Sequence, residues 1–386
     1  MGHRAAIVGA GHTRFGALED GPRRLLRTAI DAAFASVERG ADRALVHEAF
    51  LATIGFGGWQ LGNVAAVLGE EAGLSGVPAS RIENACASGG FAARAGVRAA
   101  QGEPGLVLVA GLEKMTDVSS ARRRYWLGVS GDTEWERAAG LTFAGVYGLI
   151  ASRYVADHPR AADALVEVAV KNHANGALNP NAHFPKAVTA EAVRAAPRVA
   201  EPLGLYDCCP VSDGAVALLL AAPEEARSFT DSPVYIDGVG AGTDALAVQE
   251  RPELTRFGAT RWAVDAALRQ ARVDRSAISF LEVHDCFTIA ELLALEDLGF
   301  AESGEAAAMT LDGATARGGR LPVNPDGGLK AKGHPIGASG VSQLYEGFLQ
   351  LRGAAGRRQV PGAERALAHN VGGAGATATV TVLSAG

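Results

Sequence analysis

Two apolar segments that each end in a cluster of glycines most constrain the fold of this chain. Residues 5–11 form the first segment, and residues 234–242 repeat the same pattern much later. Apolar residues at helical spacing follow both segments, at residues 22–39 and 260–271. A strand followed by a helix, met twice in one chain, predicts an α/β fold built from two duplicated halves.

The composition changes between the two halves. A continuous apolar run at residues 106–110 predicts a buried parallel strand. The stretch after it is rich in Arg, His, Asn and Pro, with helices predicted at residues 145–157 and 161–174 and no strand. We therefore predict an N-terminal half that is completed after the insert, an inserted loop domain and a C-terminal half, at residues 1–113 with 207–230, 114–206 and 231–386.

The overall composition is that of a globular chain without a strong charge bias. Of the 386 residues, 48% are hydrophobic and 20% are charged, and the net charge is −6, so neither nucleic acid nor an anionic membrane is an expected partner. We find no signal peptide and no apolar run of the about 18–20 residues that span a bilayer. Four cysteines do not make a disulfide framework, and we expect a reduced, cytoplasmic protein.

Cys86 is the first candidate for chemistry. Small residues follow it directly, and residues 91–100 have the apolar spacing of a helix. A thiol at or just before a helix N-terminus is expected to have a lowered pKa, because unpaired N–H groups and the helix dipole favour the thiolate. For a single cysteine, a buried structural role is the alternative interpretation.

A second concentration of titratable groups lies at residues 282–287. Residues at alternate positions of a strand face the same side, so His284 and Cys286 are expected to project into one pocket while Asp285 points away. A packed pair without chemistry is the alternative for these two residues.

Two glycine-rich stretches follow. Residues 324–340 hold His334 in a Gly/Pro loop before a helix, and residues 369–375 read as a turn whose glycines expose backbone N–H groups. Neither stretch has the spacing of a phosphate loop, and no Cys-x-x-Cys pair supports a zinc site. A cysteine nucleophile, histidines and a second thiol suit acyl transfer through a thioester.

These motifs, in this order, resemble the four active-site loops of the thiolase superfamily. They are Cys86-Ala87-Ser88, His284-Asp285-Cys286-Phe287, Gly333-His334-Pro335 and His369-Asn370-Val371-Gly372. The chain is most similar to the sterol-carrier-protein type of thiolase. Its second motif has His-Asp-Cys-Phe where classical thiolases have Asn-Glu-Ala-Phe, and its last has His-Asn-x-Gly where they have Cys-x-Gly.

The resemblance covers nearly the whole chain and implies a thiolase fold. This fold is a five-layered αβαβα arrangement of two duplicated halves with an inserted loop domain. The resemblance also implies a homodimer or a dimer of dimers, coenzyme A thioesters as substrates, and no bound cofactor or metal. Many prokaryotic relatives work with a small zinc-ribbon/OB-fold acyl-CoA-binding protein, so such a partner is a further expectation.

Roles follow from the resemblance position by position. Cys86 is expected to be the nucleophile that takes the acyl group, and His334 is expected to accept its proton. Cys286 is the expected acid/base, which protonates the leaving enolate in cleavage or deprotonates the incoming acyl-CoA in synthesis. His284, with a water molecule, is expected to hold the thioester oxygen of the second substrate.

The remaining site residues also come from the resemblance. The backbone N–H groups of Cys86 and Gly372 are the expected oxyanion hole, with Asn370 beside them. Asn370 stands where classical thiolases have their second catalytic cysteine and cannot transfer protons, so that role falls to Cys286. The predicted substrate-binding residues are Phe143, Val146, Tyr147 and Ser339. The candidates for contacts with the phosphates of coenzyme A are Arg122, Arg123, Arg124, Lys330 and Lys332.

Three functions agree with these features. One is a 3-oxoacyl-CoA thiolase or acetyl-CoA acetyltransferase that cleaves or forms a C–C bond next to a CoA thioester. The second is a biosynthetic condensing enzyme, a C-acyltransferase with a specialised acceptor. The third is a subunit that is active only with a small zinc-ribbon/OB-fold partner. Retro-aldolase relatives typically lack the nucleophilic cysteine, so Cys86 argues against that activity.

Overall fold

The computed structural model describes residues 2–386, which form the following strands and helices. The strands are β1 (Ala5–His12), β2 (Val46–Ala52), β3 (Ala79–Ile82), β4 (Leu106–Glu113), β5 (Arg198–Ala200), β6 (Leu203–Gly204), β7 (Gly214–Ala221), β8 (Val234–Thr243), β9 (Phe280–Glu282), β10 (Arg365–Gly372) and β11 (Thr377–Ala385). The helices are α1 (Pro22–Ala35), α2 (Val64–Ala72), α3 (Ser88–Ala99), α4 (Ser120–Gly128), α5 (Phe143–Asp157), α6 (Ala161–Gly176), α7 (Ala190–Ala195), α8 (Ala226–Phe229), α9 (Gly258–Ala271), α10 (Thr288–Asp297), α11 (Glu305–Leu311), α12 (Gly328–Ala331) and α13 (Ile336–Leu351).

The two halves repeat one strand order. Nine strands form a single mixed sheet in the order β3-β2-β4-β7-β1-β8-β11-β10-β9. In the first half, β2 lies between parallel β3 and β4, and antiparallel β7 and β1 follow. In the second half, β9 is parallel to β10, antiparallel β11 and β8 follow, and Val323 takes the place of the outer strand through a parallel bridge to Leu281. This mirrored order is the duplication that the sequence predicted.

Helices on the faces of the sheet complete five layers. The helices α1 and α2 cover the outer face of the first half, and α9 and α10 cover that of the second. Between the halves, α3 packs on β2, β4 and β11, while α13 packs on β4 and β10. The predicted αβαβα arrangement is therefore confirmed. Within residues 2–386, no helix combines the length and the apolar character that a membrane crossing requires.

Glycines let the first strand of each half approach its helix closely. A Cβ atom on Gly11 would overlap the Ala29 carbonyl oxygen of α1. A Cβ atom on Gly240 would likewise overlap the Ala263 carbonyl oxygen of α9. Only glycine allows a helix backbone to lie this close to a strand, which explains why the same pattern begins both halves.

The strand predicted at residues 106–110 is buried and parallel to β2 as expected, but it is antiparallel to β7 on its other side. Other expectations about secondary structure are wrong. The segment without predicted strands contains the short pair β5 and β6. His369 and Asn370 belong to β10 instead of a turn, because β11 pairs with β10 as far as Gly372.

Replacing Gly240 tests the close packing of α9 on β8. Gly240→Ala is expected to lower the free energy of unfolding by about 1–3 kcal/mol, because the added methyl group overpacks the contact. Gly62 has open space around it, so Gly62→Ala is the matched control, with an expected change below about 0.5 kcal/mol. Urea unfolding followed by circular dichroism compares the two variants. Equal midpoints would contradict the packing described here.

Candidate active site

Cys86 lies in a tight turn between β3 and α3. The helix begins at Ser88, with Ala87 as its N-cap. Ala85 has a φ of 49°, a left-handed conformation that residues with a Cβ atom adopt rarely. The Ser88 hydroxyl stabilises this turn, since it accepts from the Asn84 N–H at 2.9 Å and donates to the Ala85 carbonyl at 2.6 Å. The turn leaves the Cys86 side chain buried just before the helix.

The Cys86 thiol faces His334. The sulfur lies 3.3 Å from His334 Nε2, and His334 Nδ1 lies 2.7 Å from the Ser339 hydroxyl. The Ser339 hydroxyl donates its own proton to the Pro335 carbonyl at 2.8 Å. Nδ1 must therefore carry the ring proton and donate it to Ser339, which leaves the lone pair of Nε2 facing the thiol. This geometry allows His334 to accept the thiol proton.

Burial determines the protonation of this pair. Burial raises the pKa of the Cys86 thiol far above its usual value, although N–H groups of Gly373 and of Cys86 itself act in the opposite direction. Burial and the charge of Lys332 lower the pKa of His334 to about 3. The proton therefore stays on sulfur at neutral pH. The expected lowering of the thiol pKa is wrong, because desolvation outweighs the helix terminus.

Asn370 and His284 lie on another side of Cys86. The Asn370 Nδ2 group is 2.9 Å from the Cys86 carbonyl oxygen and 3.1 Å from His284 Nδ1, and its Oδ1 accepts the Gly90 N–H at 3.0 Å. The rings of His284 and His334 are nearly perpendicular, with centroids 5.1 Å apart. Burial lowers the pKa of His284 well below its usual value, so this ring is neutral.

The loop that carries His284 and Cys286 follows β9 directly. Since β9 ends at Glu282, these two residues lie on a loop and not on a strand, which corrects the sequence-based expectation. Asp285 does point away from the site, where its carboxylate accepts the N–H groups of Leu329 at 2.6 Å and Lys330 at 3.2 Å. Burial raises the pKa of the Cys286 thiol, which is therefore protonated.

Helix α5 brings three predicted substrate-binding residues towards this loop. Tyr147 stacks on Phe287 with centroids 4.5 Å apart, and its hydroxyl donates to the Gly373 carbonyl at 3.2 Å. Phe143 is half-buried with its ring 6.2 Å from that of Phe287, and Val146 is buried in the same cluster. Tyr147 and Val146 are thus packed side chains, and Phe143 is the most accessible of the three.

The proposed reacting groups converge closely. The Cys86 sulfur and one ring nitrogen each from His284 and His334 lie within 4.8 Å of one another. In residues 2–386 this is the one group of three or more Cys, His, Asp or Glu side chains with metal-site spacing. The same spacing also serves groups that exchange protons.

Other predicted residues lie outside this group. Ser339 is buried, and its hydroxyl lies against His334 Nδ1. Lys332 is buried and pairs with Asp326, so it is not available to a phosphate group. Lys330 is buried near His173, whereas Arg122 and Arg124 are exposed on α4.

Glu113 supports the site but was not identified from the sequence. Its buried carboxylate accepts N–H groups from Ile54 at 3.1 Å, Phe56 at 2.9 Å and Gly337 at 3.0 Å. The last of these belongs to the first turn of α13, directly after the His334 loop. Glu113 thus joins the ends of β2 and β4 to that loop. The sequence feature that could have identified Glu113 is its position as a charged residue at the end of an apolar strand.

Comparison with known proteins identifies the family. The family "Thiolase, N-terminal domain" matches residues 5–224, and "Thiolase C-terminal domain-like" matches residues 240–385. The acetyl-CoA acetyltransferase of Methanothermobacter thermautotrophicus is 41% identical over 382 residues, which are 98% of this chain and 99% of that protein. Human sterol carrier protein 2 is 31% identical over 79% of this chain and 58% of its own length.

Solved structures agree with this assignment of the fold. The Ltp2-ChsH2(DUF35) aldolase has a TM-score of 0.84 at 24% identity, covering 99% of this chain and 97% of that chain. A monomeric SCP2-thiolase like protein type 1 from Mycobacterium smegmatis has a TM-score of 0.73 at 19% identity, covering 99% and 77%. The fold and the relatives define an enzyme of the acyltransferase class. The chain belongs to the thiolase superfamily.

The pH dependence of alkylation tests the state of the Cys86 thiol. Only a thiolate reacts rapidly with iodoacetamide, so the rate at Cys86 is expected to rise continuously over about pH 6–9. The modified peptide is quantified by mass spectrometry, with Cys86→Ala to confirm its identity. A plateau below about pH 7 would mean a thiolate with a lowered pKa and would contradict the effect of burial.

Ser339→Ala tests whether Ser339 orients His334 or contacts the substrate. Without the hydroxyl, the His334 ring is no longer held in one tautomer and orientation, and turnover is expected to slow about 10–100-fold with little change in KM. Ser342→Ala is the matched control, because the Ser342 hydroxyl contacts His12 at 2.8 Å instead of His334. A raised KM with an unchanged rate would indicate a substrate contact.

Proposed function

We propose that this protein forms or cleaves a C–C bond beside a coenzyme A thioester through an acyl-enzyme on Cys86. This is the reaction of an acetyl-CoA acetyltransferase or a 3-oxoacyl-CoA thiolase. The observation that carries the proposal is the buried Cys86–His334 pair, with 3.3 Å between Sγ and a ring nitrogen whose lone pair faces the thiol. The name of the 41% identical relative, acetyl-CoA acetyltransferase, supports it.

The first step of the proposed reaction acylates Cys86. As the sulfur attacks the thioester carbonyl of the first acyl-CoA, His334 takes the thiol proton and then passes it to the departing thiolate of coenzyme A. The negative oxygen that forms is held by the backbone N–H groups of Cys86 and Gly372. A neutral thiol and a neutral imidazole suit this order, since proton transfer then accompanies the attack.

The second step makes or breaks the C–C bond. In cleavage, the protonated Cys286 thiol gives its proton to the carbon of the departing enolate and becomes a thiolate. Synthesis is the reverse step, in which the Cys286 thiolate takes a proton from the carbon next to the second thioester. His284 holds the thioester oxygen while the enolate exists, and one such donor is worth about 3–4 kcal/mol. Both groups are buried, so their interactions with the enolate are not weakened by bulk water.

A cavity next to the loop that carries Cys286 supports an acyl-CoA as substrate. It has a volume of about 300 Å³ and an apolar lining that includes Phe184, Leu205 and Cys209. The Cys209 N–H donates to the Cys286 carbonyl at 2.9 Å, so the cavity adjoins the catalytic loop. Lys186 lies on the same lining and can meet an anionic group. No cofactor is needed for this chemistry.

A biosynthetic condensing enzyme is the alternative within the same chemistry. It would use Cys86, His334, Cys286 and His284 in the same roles, because Claisen condensation and thiolytic cleavage are one reversible reaction. The two functions differ in the acceptor that attacks the acyl-enzyme. Activity with acetyl-CoA alone favours the acetyltransferase, and activity only with another acceptor favours the specialised condensing enzyme.

Assembly is a further part of the proposal. The structural neighbour named Ltp2-ChsH2(DUF35) aldolase contains a second protein, which supports a small zinc-ribbon/OB-fold partner for this chain as well. The edge strand β3 has a neighbour on one side only within the described sheet, which supports a homodimer formed through that edge.

Incubation with acetyl-CoA and intact-mass analysis test the proposed function. Wild type is expected to gain one acetyl group on the Cys86 peptide, and Cys86→Ala is expected to gain none. Cys286→Ala is expected to acylate normally but to lose at least about 10²-fold in condensation and thiolysis, because it lacks the second acid/base. If no member of a panel of acyl-CoAs labels Cys86, the proposed function is wrong for the isolated chain. If Cys286→Ala retains full turnover, the role of Cys286 is wrong.

A further inference from the structure

We propose that Asn370 is a positioning residue that holds His284 in a single tautomer, with the ring proton on Nε2 and directed into the Cys86 site. The inference rests on the proposed function, in which His284 donates to the thioester oxygen of the second substrate. It assigns to Asn370 a task different from the oxyanion contact that the sequence suggested.

The orientation of the Asn370 amide follows from two backbone groups. The Gly90 N–H can only donate, and it lies 3.0 Å from the side-chain oxygen of Asn370. The Cys86 carbonyl can only accept, and it lies 2.9 Å from the side-chain nitrogen. A flipped amide would place two donors together and two acceptors together. The amide orientation is therefore determined without reference to His284.

The tautomer of His284 follows from that orientation. Asn370 Nδ2 is a donor only, so His284 Nδ1, at 3.1 Å, must accept its hydrogen bond. A neutral imidazole has one N–H group, which must then be on Nε2. Within residues 2–386, His284 Nε2 is buried and has no hydrogen-bond partner. A buried N–H group of this kind is suited to receive an oxygen of the substrate.

The same contacts use both amide hydrogens of Asn370, so this side chain has no donor left for an oxyanion. Its two amide hydrogens go to Cys86 and His284, and its oxygen takes the Gly90 N–H. The predicted place of Asn370 among the oxyanion donors is therefore corrected. Its effect on the reaction passes through His284.

The two histidines of the site consequently present opposite hydrogen-bonding groups, one an acceptor and the other a donor. Ser339 holds His334 with its proton on Nδ1, so His334 presents a lone pair to Cys86. Asn370 holds His284 with its proton on Nε2, so His284 presents a donor. One ring can remove the thiol proton while the other binds an oxygen, and neither can take the other's part without a change of tautomer.

The surroundings of His284 favour its uncharged ring. The titratable groups that face its ring are His334, His369 and Cys86. Burial, followed by the two other histidines, lowers the pKa of His284 well below its usual value. The lowered pKa keeps the His284 ring uncharged, and the hydrogen bond from Asn370 keeps its one proton on Nε2.

Histidine NMR tests the tautomer directly. Two-bond ¹⁵N–¹H spectra of wild type labelled with ¹⁵N-histidine are expected to show His284 with protonated Nε2 and bare Nδ1, and His284→Gln identifies the signals. In Asn370→Asp a carboxylate faces Nδ1, so that nitrogen is expected to become protonated. A wild-type His284 with its proton on Nδ1 would overturn the proposal, as would an unchanged tautomer in Asn370→Asp.

Kinetics of Asn370→Asp separate positioning from general damage. The carboxylate raises the pKa of His284, so Nε2 carries a proton only while the ring is charged. As the pH rises through this pKa, the C–C step is expected to fall about 10²-fold relative to wild type, while acylation of Cys86 stays within about threefold. Equal losses in both steps, or a loss that is independent of pH, would indicate a structural role and overturn the proposal.

Gln343→Leu is the matched control for this experiment. The Gln343 amide is also buried and donates to the His369 carbonyl at 2.8 Å, next to Asn370, but it does not contact His284. Its removal is expected to leave the tautomer of His284 and the pH profile as in wild type. If wild type itself fails to acylate, the proposed function fails, while the NMR result still decides the role of Asn370.

Discussion

The close contact between α3 and α13 in the central layer is the interaction on which the site depends. A Cβ atom on Gly89 of α3 would lie 2.8 Å from the Val341 nitrogen of α13, so only glycine permits this approach. Cys86 lies just before Ala87, the N-cap of α3, and His334 lies just before Pro335, the N-cap of α13. Two helices that belong to different halves therefore bring the Cys86 thiol and the His334 ring together because their N-terminal ends meet.

Exclusion of water then determines how the site works. Desolvation keeps the Cys86 thiol protonated and the His334 ring neutral, although a helix terminus and backbone N–H groups act on the sulfur in the opposite direction. Hydroxyl and amide groups behind the two rings, from Ser339 and Asn370, determine which ring nitrogen carries the proton. A site of this kind has no charge to stabilise until the substrate enters, and its donors are already oriented when the oxyanion forms.

Much of the fold and the residue types of the site could be predicted, but their detailed roles could not. The glycine-rich strands predicted two similar halves, and four short motifs identified the loops that converge. The expected phosphate contact of Lys332 is wrong, since its position in the chain does not indicate that it is buried with Asp326. The sequence also gives no sign that the Ser339 hydroxyl lies behind the His334 ring. Glu113 was missed, because its partners come from the segment after β2 and from α13, which are far apart in sequence.

The sequence by itself determined the class of fold, the duplication and which titratable residues to expect at the site, because these depend on local patterns of apolar, small and titratable residues. The tertiary structure alone decided the extent of β10, the raised pKa of the Cys86 thiol and the tautomers of the two histidines. These properties depend on distant partners: Asn370 and Cys86 are 284 positions apart and yet share a hydrogen bond. Burial and hydrogen-bond direction arise only when such groups meet, so no stretch of the chain could have revealed them.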